Sequence, residues 1–124
     1  MGLVSHVFAE EDLKQLKGHL AIGQNRYSTS GDSVISHAQP ILEKIKPKKY
    51  IALAHNGNLP STKKLEAFLK ENKISLKGLN DSQMMTKAIA FYVKKGDTLE
   101  DAVKKSYPLF TGVFCLLVMD EEKI

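Results

Sequence analysis

The stretch Tyr50-Ile51-Ala52-Leu53-Ala54-His55-Asn56-Gly57-Asn58-Leu59 decides how the chain is read. Its first half, Tyr50 to Ala54, is apolar and reads as a strand. Asn-Gly behind a strand usually marks a two-residue hairpin turn, but a hairpin needs a second strand directly after it. Here Asn58 to Thr62 supplies capping residues and a proline for a helix start, and Leu65, Phe68 and Leu69 then recur at helical spacing. Asn56-Gly57 is therefore expected to end a strand and open a connection into a helix. Two uses of the pair stay open. Glycine can serve a plain turn through its freedom at positive φ. Alternatively, the asparagine amide and the glycine N–H both point at developing negative charge, as an oxyanion site requires.

On the N-terminal side, Glu10 to Leu16 reads as a short helix stopped by Gly18, and His19 to Gly23 as a strand. Residues 28–40 are rich in Ser, Gly and Asp and read as a loop. Ile41 to Ile45 reads as a short extended piece before a lysine-rich turn at Pro47. On the C-terminal side, Asp81 can cap a helix whose apolar face is Met85, Ala88, Ile89 and Tyr92 and which ends at Gly96. Thr98 with Asp101 predicts a capped third helix, ended by Pro108. Gly112 to Met119 is a strand without polar alternation, which predicts cover on both faces and makes Cys115 an inert core thiol. Asp120 to Glu122 reads as a turn, and Lys123-Ile124 as the start of another strand. The pattern is α+β, with one domain's worth of residues and no internal repeat.

Composition excludes several classes. No apolar run reaches the length of a membrane span. The first residues lack the basic start and long apolar core of a signal peptide. A single cysteine rules out an internal disulfide framework and fits a reducing, cytoplasmic setting. The net charge of +4 comes from lysine pairs spread along the chain, as on solvated helix faces. A nucleic-acid surface would bring clustered arginines and interleaved aromatics, and neither is present. Arg26 is the one arginine in the sequence. A guanidinium binds a carboxylate through a planar two-point fork that lysine does not offer.

Five blocks follow one another in order: Ile22-Gly23-Gln24-Asn25-Arg26-Tyr27-Ser28-Thr29-Ser30-Gly31, Ala38-Gln39-Pro40, Leu53 to Leu59, Asn80-Asp81-Ser82-Gln83, and Gly112 to Leu116. Together they resemble the glutaminase domain of the glutamine phosphoribosylpyrophosphate amidotransferases, enzymes that open purine synthesis. The glucosamine phosphate synthases, a sister family, have a tryptophan after the arginine and a histidine before the proline, where this chain has Tyr27 and Gln39. Gln24 stands where the family usually has histidine, and Gln83 where it usually has glutamate.

The resemblance implies an N-terminal-nucleophile hydrolase fold, a four-layer α-β-β-α sandwich, with residues 1–124 forming part of that domain. It implies that Arg26 grips the α-carboxylate of glutamine, that Asp81 takes its α-ammonium, and that Thr29 lines the pocket. Asn56 and Gly57 would form the oxyanion hole. No metal and no cofactor are implied. The family's nucleophile is a cysteine at the mature N-terminus, and the chain reads Met1-Gly2-Leu3-Val4 there. The chain is thus expected to be an internal piece of the domain, without its first strands and its end, separate from the phosphoribosyltransferase domain, and inactive by itself. The parent enzyme would be a homo-oligomer acting on glutamine, away from membranes and nucleic acid. Alternatives are the glutaminase domain of another class II amidotransferase, a non-catalytic amino-acid-binding module, and a small lysine-rich nucleic-acid binder.

Overall fold

The computed structural model describes residues 9–25 and 37–124. Helix α1 spans Glu10–Gln15; strands β1 and β2 span Ile41–Lys46 and Lys49–Ser61. Helices α2, α3 and α4 span Lys63–Glu71, Asp81–Lys94 and Leu99–Ser106. A 3-10 turn, Tyr107–Leu109, leads into β3, Thr111–Met119. The strands form one antiparallel sheet in the order β1-β2-β3. Lys48, at φ 62°, makes the tight turn between β1 and β2.

Alternation in the strands divides the sheet into two faces. Ile51, Leu53, His55 and Leu59 of β2 point toward the helices and are buried. Ile45 of β1, and Phe114, Leu116 and Val118 of β3, join them. Helix α3 packs on β1 and β2 and supplies Met85, Ala88 and Ile89 to this core, as its periodicity predicts. Glu43 on β1 reinforces the contact by pairing with Lys87 at 3.3 Å and Lys94 at 3.0 Å, both on α3.

Several expectations change. Asn56-Gly57 does not end a strand: β2 runs through it to Ser61, with Asn56 opposite Cys115 and Gly57 opposite Phe114. The reason is close approach. A Cβ on Gly57 would sit 2.6 Å from the Val113 carbonyl oxygen and 2.9 Å from Phe114 Cα, at a φ of 138°. Gly112, at φ 141°, plays the same part on β3, where a Cβ would meet Asn58 O at 2.8 Å. Two glycines thus let the strands pass where their register shifts, between Asn58 and Ser61.

The N-cap of α3 is Asn80, not Asp81. Its side chain accepts from Gln83 N–H at 2.8 Å, and Gln83 Oε1 accepts from Asn80 N–H at 2.9 Å, a reciprocal capping box. Residues 19–23 are not a strand. This segment is tied to β2 by a side chain, Gln24, rather than by a backbone ladder. Lys123-Ile124 does not extend, because Asp120 Oδ1 accepts the N–H groups of Glu122 and Lys123 and closes a turn. Among the described residues, strand β3 is covered on one face only. Val113 is 91% and Leu117 50% exposed, and Cys115 is exposed between them. The expected loop at 28–40 lies mostly outside the described residues.

Candidate functional site

The middle of β2 gathers polar groups from four separate parts of the sequence. His55 is its centre. The backbone N–H of His55 donates to Gln39 Oε1 at 2.6 Å, and its carbonyl accepts from Gln24 Nε2 at 2.9 Å. Its ring Nδ1 lies 2.9 Å from Ser82 Oγ. Gln39 Nε2 also donates to Ser82 Oγ, at 3.1 Å. The Gln39 amide therefore bridges β2 to the first turn of α3. The His55 ring packs edge-on near Phe114, with centroids 6.3 Å apart.

Asp81 stands at the first position of α3. Its Oδ1 accepts from the Ser82 N–H at 2.7 Å, and its Oδ2 is 3.9 Å from His55 Nδ1. With Asn80 as the cap, the Asp81 carboxylate takes a first-turn N–H through Oδ1, and its Oδ2 faces His55. It is partly exposed and sits where the positive end of the helix dipole favours an anion. Burial lowers the pKa of His55 below its usual value, partly offset by the nearby Asp81 carboxylate.

Asn56 follows His55 and points to the opposite face of the sheet, where it is exposed. A cleft of about 260 Å³ opens beside it, rimmed by Gly23, Gln24 and Asn25 and floored by Ala54, Cys115 and Leu117. Asp81 does not line this cleft. The described residues thus bring Asp81 to His55, and Asn56 to Gln24 and Cys115. Gly57 occupies the strand beside Asn56. Arg26 and Thr29 lie outside the described residues, although Gln24 and Asn25, just before Arg26, form the cleft rim. Among the described residues, no three His, Cys, Asp or Glu side chains are grouped as metal ligands.

Sequence reasoning gave no role to His55 or Ser82. The signal was present in the spacing. Asn80 and Gln83 are three apart, as a capping box needs, which puts both residues between them in the first turn.

No protein-family model matches the chain. Individual relatives do, along its full length. It is 40% identical over 124 residues to the amidophosphoribosyltransferase of Synechococcus elongatus, covering all of this chain and 25% of that protein. It is 38% identical over 129 residues to the Mycobacterium leprae amidophosphoribosyltransferase, covering all of this chain and 23% of that protein. The chain is homologous to a segment of amidophosphoribosyltransferase. It spans about a quarter of the length of the curated relatives it matches. Solved structures agree. The glutamine phosphoribosylpyrophosphate amidotransferase of B. subtilis, complexed with ADP and GMP, aligns with a TM-score of 0.60 and 27% identity. That alignment covers 73% of this chain and 19% of the other. A structure described as the allosteric regulatory enzyme of purine biosynthesis aligns at 0.65 and 28% identity, over 79% of this chain and 21% of that one. The amidophosphoribosyltransferase match includes every block that meets at His55. No helix among the described residues is long and apolar enough to cross a membrane.

Proposed function

We propose that this chain is the part of an amidophosphoribosyltransferase glutaminase domain that recognises glutamine and stabilises the oxyanion of its hydrolysis. The observation that carries the reading is the convergence on His55. Gln24, Gln39 and Ser82, from three of the resembling blocks, bond directly to the residue that precedes Asn56-Gly57. Those bonds fix the backbone that presents the pair.

A free amino acid offers one carboxylate and one ammonium, so its site needs a fork donor and an acceptor. Arg26 takes the α-carboxylate through two parallel hydrogen bonds, and Asp81 takes the α-ammonium. Thr29 lines the same pocket. Attack on the side-chain amide turns its carbonyl oxygen into an oxyanion, to which Asn56 and Gly57 donate. The exposure of Asn56 on the cleft supports this role. The nucleophile is the N-terminal cysteine that the resemblance implies, and it is not a residue of this chain. Cys115 does not replace it: it is exposed, but the imidazole beside it in the sheet, His55, points to the other face. This chain alone therefore releases no ammonia from glutamine. The ammonia passes to phosphoribosylpyrophosphate on a separate phosphoribosyltransferase domain, in a cytoplasmic homo-oligomer. The same reading makes the sheet and its helices half of a four-layer α-β-β-α sandwich. The bare apolar face of Leu42, Val113, Cys115 and Leu117 is then the surface that meets the second sheet.

The test uses a full-length enzyme carrying this segment, assayed with glutamine and with ammonia. Asn56→Ala lowers glutamine-dependent kcat by about 100- to 1000-fold and spares ammonia use. Arg26→Lys costs about 1.5–3 kcal/mol in kcat/KM for glutamine and also spares ammonia use. Equal loss of both activities in these variants would show structural roles and sink the assignment.

A further inference from the structure

His55 and Ser82 are 4% and 2% exposed, so every polar atom between them must be satisfied internally. Ser82 Oγ has three neighbours: His55 Nδ1 at 2.9 Å, Gln39 Nε2 at 3.1 Å and Asp81 Oδ1 at 3.3 Å. A hydroxyl has one proton and two lone pairs. Gln39 Nε2 is a donor, because the other end of that amide accepts from the His55 N–H. A carboxylate only accepts. The hydroxyl proton therefore goes either to Asp81 or to the imidazole.

The far ring nitrogen decides between them. His55 Nε2 is buried with no hydrogen-bond partner among the described residues. A proton there would strand a buried N–H donor, which costs more than a bare acceptor lone pair. With the proton on Nδ1 instead, Nδ1–H donates to Ser82 Oγ, Gln39 fills the second lone pair, and the Ser82 O–H donates to Asp81. All three polar groups around the hydroxyl are then satisfied.

We infer that His55 and Ser82 are positioning residues for Asp81: a neutral, Nδ1-protonated imidazole donates to Ser82 Oγ, whose own proton holds the Asp81 carboxylate in the orientation that receives the α-ammonium of glutamine. The inference rests on the glutamine-recognition reading of Asp81. Burial supports it by opposing the imidazolium, which would otherwise neutralise the carboxylate it faces at 3.9 Å. The ammonium is present in the ground state and the transition state alike. Losing its aligned partner therefore weakens substrate binding without slowing the chemical step.

The experiment uses a full-length enzyme carrying this segment. Ser82→Ala raises the KM for glutamine about ten-fold and leaves kcat within about two-fold, as loss of one bond to a charged group requires. Ammonia-dependent activity is unchanged, and Ser82→Thr, which keeps the hydroxyl, restores the KM. Histidine 15N NMR of the unsubstituted protein shows the proton of His55 on Nδ1, and this reading stands even if a variant does not fold. A proton on Nε2, a fall in kcat at constant KM, or equal loss of both activities in Ser82→Ala overturns the inference. Failure of the glutamine reading itself is visible earlier, in an unsubstituted enzyme that uses ammonia but not glutamine.

Discussion

The two faces of β2 and β3 are built from similar residue types and meet different surroundings. On one face Ile51, Leu53, Phe114, Leu116 and Val118 pack against α2, α3 and α4. On the other, Val113, Cys115 and Leu117 of β3 stand open, beside the exposed Asn56 and Asn58 of β2, whereas Ala52 and Ala54 of β2 are buried. A half-exposed antiparallel sheet normally marks its wet face with polar side chains. Here β3 carries no such mark. Its residues are apolar enough for cover on both sides, and the described residues cover one. The contrast teaches that the helix face holds this fold together, whereas the open face is available for a ligand cleft and for further packing.

Substitutions on the two faces break or sharpen that contrast. The largest expected effect is on the helix face. Leu53→Ala removes a fully buried side chain and lowers unfolding stability by about 2–5 kcal/mol, read from urea midpoints. A loss below about 1 kcal/mol would mean that the helices do not grip this face. Next is the seam between the strands. Gly57→Ala forces a Cβ to 2.6 Å from a carbonyl oxygen at a positive φ, and strain of this kind costs about 1–3 kcal/mol. Unchanged stability would show that β2 and β3 do not approach as closely as described.

A smaller, pH-dependent effect comes from His55. Its folded pKa lies below the unfolded value of 6.5, so the unfolded chain binds the extra proton first on acidification. Stability is greatest above pH 6.5 and falls as pH drops through that value, until the folded imidazole is also protonated. His55→Gln flattens this slope in denaturation curves taken across the range. An equally steep slope in the variant would assign the titration to another group. The smallest effect is on the open face. Val113→Lys changes stability by no more than about 0.5 kcal/mol, because a residue 91% exposed loses almost no packing. It also shifts sedimentation toward monomer if the bare face self-associates. A loss as large as that at Leu53 would show that the open face is covered within this chain.

The site divides in the same way. Asn56, Gly57 and Asp81 stand out in the sequence, because residues of these types suit an amide and an ammonium. Their surroundings do not. Gln24, Gln39 and Ser82 are ordinary polar residues in sequence, separated from His55 by 31, 16 and 27 positions. Nothing local says that they meet.

By itself, the sequence determined the helices, their apolar faces and the cap of α4, since each depends on spacing within one turn or one heptad. It also determined the family resemblance, carried by contiguous blocks. Only the tertiary structure decided that β2 continues through Asn56-Gly57 and that Cys115 is exposed. Both depend on what lies across the chain: the β3 backbone against Gly57, and the absence of a partner over one face of β3 among the described residues. Pattern within a segment fixes which residues are apolar and how often they recur. It does not say which neighbour arrives to pair with a strand, accept a proton or cover a face.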